Sequence, residues 1–425
     1  MTELPKTEPT RRTFLKNSTA AVVGSTLTTG LVPKTVHAEG DDIIKVGLIG
    51  CGGRGSSAAG NAMRADPNVK VTALADMFAG PLKSTQSVLS RQFPNQYAVE
   101  DENCLVGFDA YKEMMLSDVD VVLLCTPPHF RPAHLKAAIE AGKHVFCEKP
   151  VAVDGPGVRS VLETTKKAKE KNLTIVSGLC WRYDLGVKAV MQQIQDGAIG
   201  DIQTIQENYL TGGLWHRTRE ADWTEMEYQV RNWLYFTWLS GDHIVEQHIH
   251  SLDKAMWLMG DKPPARCFGL GGRQSRTEEK WGHIFDHFAI CYEWENGVKT
   301  FAFTRQQSGC HNDVEDYVVG TKGKASVLKN HVVGDGGEWK FEGQKPSMYD
   351  LEHKALFEGL RSGNIINNGE YMSYSTLMAI MGREACYTGK QITWDEMMNS
   401  TVDLSPPSYE WGDVKIPKVS IPGRA

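Results

Sequence analysis

From residue 43 onward, short and mostly apolar runs alternate with stretches long enough to form helices. Residues 43–49, 69–75, 119–125, 144–147 and 173–177 read as buried strands, and 55–64, 132–141 and 157–171 as helices among them. Strands separated by helix-length segments predict βαβ units and a parallel sheet covered on both faces.

The pattern changes near residue 200. Residues 202–209 open a region in which strands follow one another. Phe288, Ile290, Tyr292 and Trp294 alternate with Ala289, Cys291 and Glu293, and Asn296-Gly297 supplies a hairpin turn into a strand over 299–305. Further strands are expected over 314–319 and 325–328. Together these predict an antiparallel sheet with one wet face. Helices are expected over 242–258, 349–361 and 371–388.

Composition narrows the partners. The 425 residues carry 46 Lys and Arg against 52 Asp and Glu, a formal net charge of -6. No basic run stands out beyond the N-terminus, so nucleic acid is not an expected partner. No apolar stretch after the first forty residues is long enough to span a bilayer, and no stable membrane association is expected. Nine cysteines without a tight CxxC argue against a disulfide scaffold or a zinc knuckle. The first 38 residues read as an export signal. Arg11 and Arg12 stand before Phe14-Leu15, a weakly apolar stretch covers 20–32, and Val36-His37-Ala38 offers small residues for cleavage. A twin-arginine signal would carry the folded, cofactor-loaded protein to the periplasm or otherwise out of the cytosol.

Gly50-Cys51-Gly52-Gly53-Arg54-Gly55 matches G-x-G-x-x-G after a predicted strand and before a predicted helix. Glycine allows a tight turn and close approach of a pyrophosphate to the backbone, while the helix N-terminus offers free N–H groups. Asp76 ends the second strand about 20 residues on, where a carboxylate can bind a ribose and repel a 2′-phosphate. This favours NAD over NADP, although Arg54 is a guanidinium near enough to accommodate a phosphate.

Ala141-Gly142-Lys143-His144-Val145-Phe146-Cys147-Glu148-Lys149-Pro150 resembles the signature of the Gfo/Idh/MocA oxidoreductases. Thr126-Pro127-Pro128, with His134 downstream, is similar to a second segment of that family. The resemblance implies an α/β fold: an N-terminal Rossmann domain, assigned to 39–180, and a C-terminal α+β domain with a large, mostly antiparallel sheet, assigned to 181–400. A tail follows over 401–425. It further implies NAD(P) between the two domains, with Thr126, Pro127, His134, Glu148 and Lys149 beside the cofactor, and a homodimer or homotetramer.

Lys149 follows a parallel strand at the sheet edge where ligands collect, and Pro150 fixes its turn. A cation there can favour the alkoxide of a bound hydroxyl. On a regular helix, Asp242, Glu246, His250 and Asp253 would share a face, with His248 turned away. Family members carry Asp-x-x-x-His in this segment, the histidine being the proposed acid/base; the matching pair here is Glu246 and His250. No metal is assigned to this cluster: HExxH is absent and alcohol oxidation needs none when lysine and histidine are at hand. Tyr209, Trp215, Trp223, Tyr228, Trp233, Tyr235, Phe236 and Trp238, interleaved with His216, Arg217 and Arg231, suit either sugar rings or a packed core. Trp233 is the candidate among them for substrate contact. Arg182 and Tyr183 stand where they can reach nicotinamide or substrate, or serve packing. The leading expectation is an exported NAD-dependent oxidoreductase acting on a secondary hydroxyl of a sugar or glycoside. The alternatives are an NAD-dependent glycosidase working by transient oxidation and elimination, and a non-catalytic NAD-binding sensor.

Overall fold

In a computed structural model that describes residues 42–424, the alternation of the first half folds into six parallel strands; the twin-arginine segment lies outside these residues. β1 (Ile44–Ile49) is followed by α1 (Gly53–Ala65), β2 (Val69–Asp76), α2 (Ala79–Gln92), β3 (Cys104–Val106) and α3 (Ala110–Leu116). Then come β4 (Val121–Leu124), α4 (Arg131–Glu140), β5 (His144–Cys147), α5 (Gly155–Glu170) and β6 (Ile175–Ser177). The strand order is β3-β2-β1-β4-β5-β6. β4 and β5 are buried at every position, as strands covered on both faces must be. The order reverses between β1 and β4, and the loops leaving the two strands part there to open a crevice at their carboxyl ends.

After α6 (Leu185–Gln195) the chain enters a second sheet at β7 (Ile202–Thr211). α7 (Glu225–Arg231) and α8 (Ile249–Leu258) precede β8 (Arg266–Gly272), β9 (His287–Glu293), β10 (Lys299–Gln306), β11 (Asp313–Gly320) and β12 (Lys324–Ser326). β13 (His331–Gly334), β14 (Gly337–Lys340), α9 (Met348–Ser362), α10 (Gly369–Thr388), β15 (Ile392–Thr393) and the short α11 (Trp394–Met398) follow. The nine strands run β14-β13-β12-β11-β7-β10-β9-β8-β15, antiparallel except where β7 meets β10. The hairpin expected at Asn296-Gly297 joins β9 to β10, with Gly297 at φ 86 and its N–H donated to Trp294 at 2.9 Å.

One face of this sheet is covered by α8 and α10, whose Leu252, Met256, Leu377 and Met381 share a core with Ile205, Ile290, Tyr292 and Val318. The other leaves Phe268, Leu270, Phe301 and Phe303 exposed in two neighbouring rows.

α2, β3 and α3 have no counterpart in the expected pattern, and two further departures bear on the site. Residues 242–258 do not form one regular helix. Gly241 and Asp242 take left-handed backbone conformations (φ 77 and 74), Ile244–His248 is a π-turn, and the α-helix begins only at Ile249. In addition, α9 returns to the first sheet: Leu356, Phe357 and Leu360 pack with Ile44, Val46 and Leu48, and Arg361 pairs with Asp66 at 2.9 Å.

Candidate active site

The crevice continues into a cleft of about 1040 Å³ lined by the loops of the first sheet, the π-turn and the segment after β7. Its floor at one end is the glycine loop. Gly50 sits at φ 97, and a Cβ on Gly55 would lie 1.8 Å from the Gly50 carbonyl oxygen, so the crossing of loop and helix requires glycine. Gly52 and Gly53 have nothing within 4 Å of where their Cβ atoms would be. The loop is thus tight below and open above, and no acidic side chain occupies the first turn of α1. A pyrophosphate fits this cradle, with the N-terminal N–H groups of α1 to hold it.

Asp76 faces the same end. Its carboxylate accepts the Cys51 N–H at 2.6 Å and the Phe78 N–H at 2.8 Å. Burial pushes its pKa up, and these N–H groups oppose that rise. Arg54 turns away from Asp76: it pairs with Glu148 and, at 2.8 Å, with Glu352, and lies over the Tyr349 ring. Burial of Glu148 raises its pKa, but Arg54, Arg131 and Lys149 outweigh this and hold it below the ordinary value. Thr126, Pro127 and Glu148 line the cleft beside the glycine loop.

At the other end Lys149 projects from the turn after β5. Its ammonium donates to the Glu246 carboxylate at 2.9 Å and to the Glu246 carbonyl, so first-sheet lysine and π-turn meet directly. Glu246, Gln247 and His250 line the cleft with Tyr209, Trp215, Arg217 and Trp233. Burial, then the charges of Lys149, Lys254 and Arg54, hold the His250 pKa well below its ordinary value, so the imidazole is neutral at physiological pH.

Asp242 and Asp253 do not share this face. Asp242 accepts from His243, the Phe285 N–H and the Tyr387 hydroxyl in the core. Asp253 is bound by Arg182 and Ser375. The π-turn changes the rotation per residue between Asp242 and His250, which the regular-helix projection does not include, whereas Asp253 shares the regular helix of His250 and is taken up by Arg182 and Ser375. His248 is fully buried near the Tyr209 ring, and burial lowers its pKa to about 3. Among the described residues no group of three or more His, Cys, Asp or Glu side chains is arranged to hold a metal.

Three residues expected at the cofactor or substrate stand behind it. Arg182 forks onto Asp253 (2.9–3.1 Å), pairs with Asp261 at 2.6 Å and stacks on Tyr371, away from the cleft lining. Tyr183 donates its hydroxyl to Asn368 at 3.0 Å. His134 is buried beneath Thr126, 3.3 Å from its hydroxyl, and stacks on Tyr111. Arg182 and Tyr183 each satisfy a neighbouring element, and His134 lines a small side cavity with Thr126, Asp76 and Met77.

The aromatic segment divides between both of its readings. Tyr209, Trp215 and Trp233 line the cleft, whereas Tyr228, Tyr235, Phe236 and Trp238 form a core of their own. Sequence reasoning missed Phe78, Gln247, Arg131 and Tyr349 in the cleft wall. Phe78 and Gln247 have a local signal, standing two residues after Asp76 and next to Glu246; Arg131 and Tyr349 have none. Phe78 is held between the Arg231 guanidinium at 4.0 Å and Trp411 at 5.2 Å. Trp411 also meets Phe108 at 4.5 Å, and the Gly412 carbonyl accepts the Met226 N–H at 3.0 Å. The last stretch of chain therefore ties the loop after Asp76 to the second sheet's insertion.

Comparison with known proteins agrees with this architecture. Residues 44–178 match the Gfo/Idh/MocA oxidoreductase family model with its NAD-binding Rossmann fold, and residues 187–326 match that family's C-terminal domain model. The chain is 26% identical to an inositol 2-dehydrogenase of Burkholderia cenocepacia over 363 residues, 82% of this chain and 94% of that one. It is 27% identical to the 2,7-anhydro-N-acetylneuraminate hydratase of Escherichia coli over 227 residues, 52% of this chain and about half (56%) of that protein's length. The crystal structure of scyllo-inositol dehydrogenase from Lactobacillus casei with bound NAD(H) and scyllo-inositol has the same fold. Its TM-score is 0.64 at 20% identity, covering 83% of this chain and 100% of that one.

Proposed function

The chain belongs to the Gfo/Idh/MocA oxidoreductase family, with an NAD-binding Rossmann domain, and from that premise we propose that it oxidises or re-forms a secondary hydroxyl of a sugar or glycoside. The observation that carries this reading is the meeting of Lys149, Glu246 and His250 at the end of a cleft that begins in the glycine loop. Bound NAD supplies the hydride acceptor or donor. The neutral His250 imidazole takes the hydroxyl proton as the carbon is oxidised and returns it in the reverse direction. The Lys149 ammonium, oriented by Glu246, donates a hydrogen bond to the reacting oxygen and favours its alkoxide form. Trp215 and Trp233 offer flat apolar faces to a sugar ring, and Gln247 and Arg217 polar groups to its rim. Arg54 is already paired with two carboxylates, and the Asp76 carboxylate, with Arg231 near it, stands where it can bind the ribose, which supports NAD over NADP.

Denaturing the purified protein and identifying the released nucleotide tests the cofactor; finding NADP alone, or no nucleotide and no affinity for one, refutes it. The same protein offered a panel of inositols, sugars and glycosides tests the reaction, keto products being expected. The similarity to an anhydro-sugar hydratase supports a second reading, oxidation followed by elimination at a glycosidic or anhydro linkage. Release of the aglycone without net NADH accumulation would favour it.

Two further parts of the reading rest on other features. Arg11 and Arg12 support export by the twin-arginine route, and replacing both with lysine should retain folded protein in the cytosol. The exposed rows of Phe268, Leu270, Phe301 and Phe303 support a homodimer or homotetramer, which light scattering measures directly.

A further inference from the structure

Beneath the helix that carries His250 lies a buried ionic cluster that the scheme above does not use. Lys254, one turn beyond His250, is only 1% exposed. Its Nζ donates to the His250 carbonyl at 2.8 Å and pairs with the Asp316 carboxylate of β11 at 3.1 Å. Directly across the ladder from Asp316, on β7, stands Glu207, and both carboxylates are 0% exposed. Two like groups at one cross-strand position thus share one ammonium. Burial, reinforced by the charge of Asp316, pushes the Glu207 pKa well above the usual carboxylate range, which favours its neutral form beside the Lys254–Asp316 pair.

A buried pair of this kind seldom stabilises a fold more than apolar side chains of the same volume. The surrounding seam is filled by just such side chains, among them Leu252, Met256 and Val318. The cluster therefore calls for a reason other than stability, and its contact with the backbone of His250 supplies one. We propose that Lys254 is a positioning residue for His250, its ammonium fastening the His250 carbonyl to Asp316 on the sheet and setting a fixed positive charge behind the imidazole. The anchor falls just past the junction of π-turn and α-helix, where the helix bonding pattern changes and the direction of the His250 side chain is set.

The charges facing His250 come from several elements. They are Lys149 after β5, compensated by Glu246 on the π-turn, Arg54 on α1, compensated by Glu148 and Glu352, and Lys254 on its own helix, compensated by Asp316 on β11. Tyr209 on β7 lines the same cleft wall. Of the three cations, Lys254 alone is fastened to the backbone of His250 itself.

This inference rests on the reading of His250 as the acid/base, and its test does not require the substrate. The full chain, loaded with NAD and labelled at histidine Cε1, is titrated by NMR, with His250→Gln identifying the resonance. In the wild type the His250 signal should stay still between about pH 8 and pH 6, where an ordinary histidine titrates. Lys254→Met combined with Asp316→Leu removes both charges together and leaves no unpaired ion, so folding should survive. In that variant His250 stays buried beside Lys149 and should still not titrate, but its signal should shift and broaden as the unanchored side chain samples more than one rotamer. Lys254→Arg, which keeps charge and donor, should preserve the wild-type position and linewidth. An unmoved and equally sharp His250 signal in the folded double variant overturns the proposal, as does an arginine variant whose signal matches that of the double variant. Should His250→Gln itself retain full dehydrogenase activity, the acid/base reading fails while the spectroscopic result still stands.

Discussion

At the nucleotide end of the cleft the working parts lie close together in the chain. Gly50 to Gly55 and Asp76 belong to one βαβ unit, and their geometry follows from local rules about glycine, helix N-termini and strand ends. The reacting end is assembled differently. Lys149 comes from the first sheet, Glu246 and His250 from a π-turn packed on the second, and Lys254 ties that turn to a strand more than sixty residues further on, at Asp316. A nucleotide site can be written locally because backbone does most of the binding. A proton-transfer site requires side chains from separate elements to converge, and therefore depends on tertiary packing.

If the two ends are separable in this way, substitutions at one should spare the other. Lys149→Ala should lower turnover by about two to four orders of magnitude while the protein still purifies with nucleotide. Loss of bound nucleotide in that variant would show that the ends are not separate. Gly55→Val places side-chain atoms against the Gly50 carbonyl and should weaken NAD binding by roughly a hundredfold or more, measured by calorimetry on nucleotide-stripped protein.

Smaller effects sharpen the boundary. Trp411→Ala removes the ring stacked on Phe78 and tilted against Phe108, and nucleotide release followed by stopped flow should quicken by about threefold to tenfold, the worth of an aromatic pair. Turnover per bound nucleotide should not change. His248→Ala should lower the melting temperature, because a fully buried ring is lost, and alter turnover least of these variants.

The same contrast explains what could be read before the structure. Five of the six strands of the first sheet, the glycine loop and the hairpin at Asn296-Gly297 carry periodicity or turn chemistry that acts over a few residues, whereas the three-residue β3 is too short to show any. α2 was not legible because Leu82 and Leu89 are its only large buried apolar residues and Gly80-Pro81 stands in its first turn. The π-turn was missed because a regular helix is the default projection, and with it went the expectation that Asp242 shares the face of His250. Arg182 illustrates the opposite difficulty: a guanidinium just after the last parallel strand looks free in sequence, and only packing brings Asp253 and Asp261 to it. The return of α9 to the first sheet leaves no mark in local pattern, since its apolar face would suit either layer.

The central claim is that a neutral His250 takes the proton at the reacting end while the nucleotide end merely holds NAD. Its most direct test is the pH dependence of nicotinamide reduction, measured by absorbance in nucleotide-loaded wild type and His250→Gln with an oxidisable polyol or sugar from the panel. A base whose pKa is depressed stays in its active form as the pH falls, so the wild-type rate should hold level through about pH 6.5 and decline only below it. His250→Gln should keep its nucleotide and lose this reduction by about two orders of magnitude or more. A wild-type rate already halved near the ordinary histidine value, or a glutamine variant that reduces NAD at the wild-type rate, would contradict the account.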